Sequence, residues 1–126
     1  MKKEISTKDA PQAIGPYNQA IEMNGMVFFS GQIPMDPATS ELVGDDIAAQ
    51  SHQVFKNIKA VLAACDLNFD NIVKTTCFLT DLSLFGQFNE IYASYFEGSV
   101  VPARSTIEVS ALPKGSLVEV EIIAMK

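Results

Sequence analysis

The two residues best suited to chemistry are an arginine and a glutamate in the last third of the chain. Arg104 begins one predicted strand and Glu119 lies in the middle of the next, and both segments have the composition of half-buried strands. A guanidinium in such a place can bind a small carboxylate through two parallel hydrogen bonds. A carboxylate nearby can orient a water molecule or transfer a proton. The pair therefore indicates hydrolysis of a small compound that carries a carboxylate.

The same arginine also has a purely structural interpretation, as one partner of an ion pair. The glutamates within reach, on its own predicted strand or on the next, are Glu108, Glu119 and Glu121. Paired or perturbed charges serve both structure and ligand binding, so the residues alone do not separate the two possibilities. Glu119 has the matching structural interpretation, as the partner of Arg104.

A tyrosine and a glycine in the first third of the chain are further candidates. Tyr17 follows Gly15-Pro16 and can equally be a core side chain whose hydroxyl is hydrogen-bonded. Gly31 follows Ser30 at the end of a predicted strand, where it marks either unusual backbone angles or a close approach of a ligand to the main chain. In the second case, backbone N–H groups beside Ser30 would bind a carboxylate.

Composition argues against several other classes of protein. The formal net charge of −6 leaves no basic surface for nucleic acid. The single histidine, His52, is predicted on a helix surface, and Cys65 and Cys77 are predicted as buried free thiols, so no metal-ligand spacing occurs and no metal or cofactor is expected. The first residues lack the apolar run of a signal peptide, and no segment has the length of a membrane span. We therefore expect a cytoplasmic protein that binds neither nucleic acid nor a membrane.

The elements that must position these residues follow from hydrophobic periodicity. Apolar residues recur at spacings of three and four over 45–65 and 84–96, which predicts two helices. Alternating or β-branched segments predict six strands, and the dipeptide Asn24-Gly25 predicts a hairpin between the second and third of them. These strands are predicted at residues 2–6, 17–23, 26–31, 72–79, 103–109 and 117–125. Residues 34–44 are predicted as a polar loop.

The order β-β-β-α-β-α-β-β predicts a single α+β domain of residues 1–126, with two helices on one face of a mixed six-stranded sheet. In the last strand the apolar set around Val120 should face the helices, which leaves Glu119 on the open face. In the strand before it, Ile107 belongs to the more apolar set, so Arg104 should share the open face with Glu119. That mixed face also carries leucine, isoleucine and methionine, and we expect a closed homo-oligomer to cover it.

Several short segments, in this order along the chain, form a more specific pattern. They are Ala13–Tyr17, Ser30–Pro34, Val73–Thr76, Pro102–Ser105, Leu112–Lys114 and Val118–Glu121. Together they resemble the RidA (YjgF/YER057c/UK114) family over essentially the whole chain. The resemblance implies an α+β fold like that of the bacillary chorismate mutase, assembly as a homotrimer, and ligand sites in the clefts between subunits. It also implies the activity of a 2-iminobutanoate/2-iminopropanoate deaminase, which hydrolyses the enamines 2-aminoacrylate and 2-aminocrotonate, or their imines, to 2-keto acids and ammonia.

The resemblance also assigns roles to individual residues. Arg104, which marks deaminase members of the family, would bind the carboxylate of the small anionic imine, and Glu119 would position the attacking water. The residues lining the substrate pocket would be Tyr17, Ser30, Gly31, Asn89 and Thr106. Many relatives have a cysteine two residues after the arginine, where this chain has Thr106. Carboxylate binding and water attack need no thiol, so the hydrolytic interpretation stands.

Two other functions remain open at this point. A non-catalytic regulator that binds 2-keto acids would need Arg104 but not Glu119. An endoribonuclease or translation inhibitor, a description that members of the family have also carried, is disfavoured by the acidic balance and the lone histidine.

Overall fold

Two α-helices and eight β-strands form over residues 1–98 and 100–126, which a computed structural model describes. The strands and helices, in chain order, are β1 (Lys3–Ile5), β2 (Ala20–Met23), β3 (Met26–Phe29), β4 (Met35–Asp36), β5 (Glu41–Leu42), α1 (Ile47–Ala64), β6 (Ile72–Leu79), α2 (Phe85–Ser94), β7 (Ala103–Glu108) and β8 (Val118–Met125). Apart from β4 and β5, these elements have the predicted order. None of the described helices combines the length and the apolarity needed to cross a membrane.

Six strands form one mixed sheet in the order β1-β2-β3-β8-β6-β7. Strand β7 runs parallel to β6, and the other neighbouring strands pair antiparallel. Asn24 and Gly25 connect β2 to β3 with φ angles of 53° and 78°. Both turn positions therefore have the positive φ that a two-residue hairpin needs, and the predicted hairpin is confirmed. The predicted α+β class with a mixed six-stranded sheet is also confirmed.

Both helices pack on one face of the sheet, and the core lies between helices and sheet. The apolar set of β8 faces this core, as predicted, since Val118, Val120, Ile122 and Ala124 are at most 2% exposed. Phe55 of α1 is fully enclosed and contacts four aromatic rings from the second half of the chain. Those rings belong to Phe69, Phe88, Tyr92 and Tyr95. The core therefore joins α1 to α2 above β8 and β6.

Strand β7 contradicts the predicted orientation. Ile107 is 46% exposed, whereas Arg104 is half-buried. In the parallel pairing of β6 with β7, Arg104 lies beside Thr75 and Thr106 lies beside Cys77, and both β6 residues are fully buried. Directly paired residues project from the same face of a sheet. Arg104 and Thr106 therefore face the helices, and Ile107 faces the opposite side.

Glu119 projects from the other face, because it pairs with Phe78 and lies between the buried Val118 and Val120. The expectation that Arg104 and Glu119 share one face of a chain is therefore wrong. A period of two separates the side chains of a strand into two sets but does not say which set meets the core. Strand β7 lies at the sheet edge, and there an arginine packs its stem and guanidinium against aromatic rings while keeping its charge near solvent.

The face opposite the helices, here called the open face, carries exposed apolar side chains. Phe28, Ile107 and Met125 are 42%, 46% and 42% exposed. The residues paired with them continue the face, among them Ile123 beside Phe28. The expectation that a closed oligomer covers this face stays a prediction.

Residues 34–44 contain a small hairpin where the sequence predicted only a polar loop. Met35 and Asp36 of β4 pair with Leu42 and Glu41 of β5. Strands of two residues are too short to show any periodicity, which is why the pattern missed them. The buried Asn57 of α1 fixes this hairpin by donating a 2.9 Å hydrogen bond to the Met35 carbonyl.

Candidate active site

Arg104 lies in a cradle formed by helix α2. Its Nη1 donates a 2.7 Å hydrogen bond to Asn89 Oδ1. Its Cζ lies 4.5 Å from the ring centroid of Tyr92 and 5.3 Å from that of Phe85, both within the range of cation–π attraction. Phe85, Asn89 and Tyr92 are spaced i, i+4 and i+7, so a single face of the helix makes all three contacts. We call these three residues, together with Arg104, the arginine cradle.

No acidic side chain within the described ranges neutralises Arg104. The one ion pair found there joins Lys126 to Glu22, at 3.0 Å. Glu108, on the strand of Arg104, instead accepts a 2.9 Å hydrogen bond from the backbone N–H of Leu82. Within the described residues of one chain, Arg104 therefore forms none of the three predicted ion pairs. The guanidinium borders a cleft of about 360 Å³, into which its charge is available to a ligand.

Thr106 lies two residues beyond Arg104 on the same side of β7. Its Oγ is fully buried, and the hydroxyl acts on the thiol of Cys77, the residue that pairs with Thr106 on β6. Other residues line the cleft at Arg104, so Thr106 does not reach that cleft within one chain.

The neighbouring thiol of Cys77 is not a nucleophile. Burial raises its pKa to about 11, although the hydroxyls of Thr75 and Thr106 and the charge of Arg104 act in the opposite direction. At neutral pH the group is the protonated thiol, which neither attacks electrophiles nor binds metals well. Across the described residues, no three histidine, cysteine or carboxylate side chains come together as a metal site requires.

A second group of polar residues surrounds Glu119 on the open face. The Glu119 carboxyl lies against Gly31, where a Cβ would be 2.8 Å from Glu119 Cδ and closer still to Oε2. A side chain at position 31 would therefore displace the Glu119 carboxyl, and the constraint on this position is close packing and not a positive φ. Burial, and to a lesser degree the negative charge of Glu121, raises the pKa of Glu119. A half-buried carboxyl with a raised pKa is suited to exchange protons with a ligand.

Gly31 also lines a cleft with Ser30 and Tyr17. Ser30 Oγ donates a 2.5 Å hydrogen bond to the carbonyl of Asn18. Tyr17 is 50% exposed, and its hydroxyl accepts a long 3.4 Å hydrogen bond from the N–H of Ile14. The interpretation of Tyr17 as a core residue is therefore wrong, and its phenol is free to meet a ligand.

Gln19 holds the wall of this cleft in place. Its Oε1 accepts a 2.7 Å hydrogen bond from the N–H of Thr7, and its Nε2 donates to the carbonyls of Thr7, Ala10 and Pro11. One buried amide thereby fixes residues 7–11 against β2. The sequence shows no sign of this role, because a glutamine before a strand is usually solvated.

The predicted site residues fall into two groups on opposite faces of the sheet. The first group, on the helix side, is Asn89, Arg104 and Thr106. The second group, around the open face, is Tyr17, Ser30, Gly31 and Glu119. The first group can bind an anion, and the second can move a proton.

Sequence analysis missed the aromatic part of the arginine cradle. The hydrophobic periodicity over residues 84–96 predicts Phe85 and Tyr92 only as part of the apolar stripe of the second helix. Their spacing from Asn89 was the available signal, since a polar residue in the middle of an aromatic helix face needs a partner. No sequence pattern predicts the pairing of Thr75 with Arg104, because local sequence does not determine the register between strands that are distant in the chain.

Several known proteins resemble this chain in sequence and in fold. The family model described as endoribonuclease L-PSP matches residues 7–126. A mouse protein named 2-iminobutanoate/2-iminopropanoate deaminase is 45% identical over 126 residues, which cover 100% of this chain and 93% of the mouse protein. The crystal structure of the conserved Rid family protein YyfA from Yersinia pestis is 56% identical and superposes with a TM-score of 0.98 over 100% of both chains. E. coli TdcF, solved with bound serine, is 41% identical with a TM-score of 0.94 over 98% of each chain. The chain therefore belongs to the RidA (YjgF) family.

Proposed function

We propose that this protein is a 2-iminobutanoate/2-iminopropanoate deaminase, which converts 2-aminoacrylate and 2-aminocrotonate to 2-keto acids and ammonia. The observation that carries the proposal is the state of Arg104. An amide and two rings hold its guanidinium, and no acid within the described residues pairs with it. Such a group binds a small carboxylate in two-point fashion. The name of the mouse relative and the serine bound to TdcF support a small amino-acid-derived substrate.

A homotrimer would complete the site. Within one chain the arginine cradle and Glu119 lie on opposite faces, so a cleft between subunits can join the cradle of one subunit to Glu119 of its neighbour. Such an interface would also cover the exposed apolar side chains of the open face. Light scattering at micromolar concentration should give the mass of three chains. A monomer with full activity would contradict this arrangement.

The reaction then needs only positioning and proton transfer. The enamine first tautomerises to the imine, whose carbon is electrophilic. Arg104 binds the carboxylate, and Glu119 takes a proton from a water molecule as the oxygen adds to the imine carbon and the nitrogen gains a proton. The carbon–nitrogen bond of this adduct breaks as the nitrogen takes a further proton, and ammonia leaves while the hydroxyl becomes the ketone. No cofactor enters any of these steps.

A coupled assay tests the proposal. A serine or threonine dehydratase generates the enamine in the presence of semicarbazide, which traps the imine as a semicarbazone. The protein should lower the initial rate of semicarbazone formation, because it converts the imine to a keto acid, which gives the same semicarbazone more slowly. An unchanged trace, combined with calorimetric binding of a 2-keto acid, would instead favour a non-catalytic regulator.

Substitution of Gly31 by alanine should disable Glu119 without unfolding the chain. The new Cβ would overlap the Glu119 carboxyl, which is the end of a flexible side chain and can move away. A displacement of this size in a catalytic group should lower kcat by about 10- to 100-fold, measured in the coupled assay. Gly86→Ala is the matched control, because a Cβ there meets nothing and position 86 lies in helix α2. Equal kcat values for the two variants would contradict the prediction.

A further inference from the structure

A buried pair of hydroxyl groups lies under the guanidinium of Arg104. Tyr92 Oη and Thr75 Oγ are 2.8 Å apart, and the two residues are 6% and 0% exposed. Thr75 is also the direct neighbour of Arg104 in the β6–β7 pairing. Thr75 therefore contacts both strand β7, which carries Arg104, and the side chain of Tyr92, whose ring lies against the Arg104 guanidinium.

We propose that Thr75 and Tyr92 are positioning residues that fix the plane of the Arg104 guanidinium for two-point binding of a carboxylate. The inference rests on the proposed function and adds to it the means by which the arginine is held. Thr75 is fully buried and does not line the cleft, whereas the side of Tyr92 that meets Arg104 forms part of the cleft wall.

Arg104 is held by the aromatic ring of Tyr92 and not by a carboxylate, and this difference has a chemical consequence. A carboxylate would hold the arginine equally well, but it would occupy the N–H groups and neutralise the charge that the substrate needs. An aromatic ring attracts the flat face of the guanidinium and leaves its N–H groups, which lie in the plane, unoccupied. In the described residues the one hydrogen bond of this guanidinium goes to the neutral amide of Asn89.

Tyr92 is itself held on several sides. Its ring centroid lies 5.8 Å from that of Phe55, 6.0 Å from that of Phe88 and 4.8 Å from that of Phe96. The hydrogen bond to Thr75 then sets the direction of the phenol. Burial raises the pKa of Tyr92, so the ring stays neutral at physiological pH and adds no negative charge beside Arg104.

The inference can be tested without a ligand because Arg104 is the only arginine in the sequence. Its side-chain NMR signals therefore need no assignment, and rotation of the guanidinium can be followed in the ligand-free protein. Rotation should be slow in the wild type, faster in Thr75→Val and Tyr92→Phe, which each remove the same hydrogen bond, and fastest in Tyr92→Leu. Tyr95→Leu is the matched control at the C-cap of the same helix, since Tyr95 contacts Phe55 and Phe69.

Calorimetry with 2-oxobutanoate gives the second readout. Tyr92→Leu should raise Kd by about 5- to 30-fold, and Thr75→Val and Tyr92→Phe by about 2- to 5-fold. Added to Arg104→Ala, Tyr92→Leu should change Kd no further, which is the result expected when one residue acts only through the other.

The outcomes separate this inference from the proposed function. If the wild type binds the keto acid but hydrolyses no imine, the deaminase proposal fails, while slow guanidinium rotation that Tyr92→Leu accelerates still supports the positioning role. If Tyr92→Leu leaves the rotation unchanged, or if Tyr92→Leu and Tyr95→Leu weaken binding equally, the positioning role is overturned, whether or not the protein is a deaminase.

Discussion

Replacement of Arg104 by alanine is expected to cost about 2–5 kcal/mol of transition-state binding, the range found when one partner of a desolvated charge pair is removed. The substrate carboxylate would then enter a cleft lined by Asn89, Tyr92 and Pro102 with no positive charge to meet it. The loss should appear in kcat/KM in the coupled assay and in the Kd of 2-oxobutanoate. The fold should persist, because the side chain is only half-buried and no ion pair is broken.

Two further variants define what the arginine contributes. Arg104→Lys keeps the charge but loses the planar two-point geometry and the stacking on Tyr92, so its activity should lie between those of wild type and alanine. Lys56→Ala removes an equal charge from the exposed side of α1 and should leave kcat/KM unchanged. Near-normal turnover by Arg104→Ala would end the proposed role in carboxylate binding.

Substitution of Glu119 by glutamine should give a folded, assembled protein whose kcat is lower by about 10²- to 10⁴-fold, the usual contribution of a general acid–base group. The amide has nearly the same shape but cannot accept the proton of the attacking water. Because burial raises the pKa of Glu119 above its usual value of 4.5, wild-type activity should fall on acidification at a higher pH than for an exposed glutamate. The pH–activity profile of the glutamine variant should lack this fall on the acidic side, here called the acidic limb.

The neighbouring carboxylate supplies a matched control for the glutamine variant. The charge of Glu121 raises the pKa of Glu119, and Glu121 is exposed on the same face of β8. Glu121→Gln should therefore keep its turnover and move the acidic limb to lower pH. Unchanged kcat in Glu119→Gln would remove Glu119 from the mechanism.

The same pKa shift has a consequence for stability, with a definite sign. A carboxyl whose pKa is higher in the folded state than in the unfolded state stabilises the fold fully below its unfolded pKa, and that contribution is lost as the pH rises through the folded pKa. Ionised Glu119 at neutral pH is therefore a cost to the fold. Thermal unfolding of Glu119→Gln should show a midpoint at or above that of the wild type at pH 7, and the difference should narrow in acid.

Features with a local cause were predictable from the sequence. Helix α1 spans 18 residues with an apolar stripe along one face, and the side chain of its N-cap, Asp46, accepts a hydrogen bond from the N–H of Ala49. The hairpin at Asn24-Gly25 depends on two adjacent residues that tolerate positive φ. In each case the residues that decide the structure are close together in the chain.

Features that depend on tertiary contacts were not predictable. The orientation of β7 follows from its position at the sheet edge beside α2, and hydrophobicity alone pointed to the wrong face. The contact of Glu119 with Gly31 joins residues 88 positions apart, and no local pattern marks it. The family resemblance named the right kind of residues, yet only the register of β6 with β7 showed that Arg104 and Glu119 lie on opposite faces.

The state of the two cysteines determines how readily such an enzyme would be inactivated by reaction with its own substrate. Enamines and imines of this kind are reactive electrophiles, and an accessible thiolate would be alkylated during turnover. Cys65 and Cys77 are both free and buried, and the pKa of Cys77 is raised to about 11. Position 106, close to Arg104, is occupied by threonine, which has no thiol. The protein would therefore lose little activity to alkylation or to oxidants, and its working lifetime would not depend on cellular reductants.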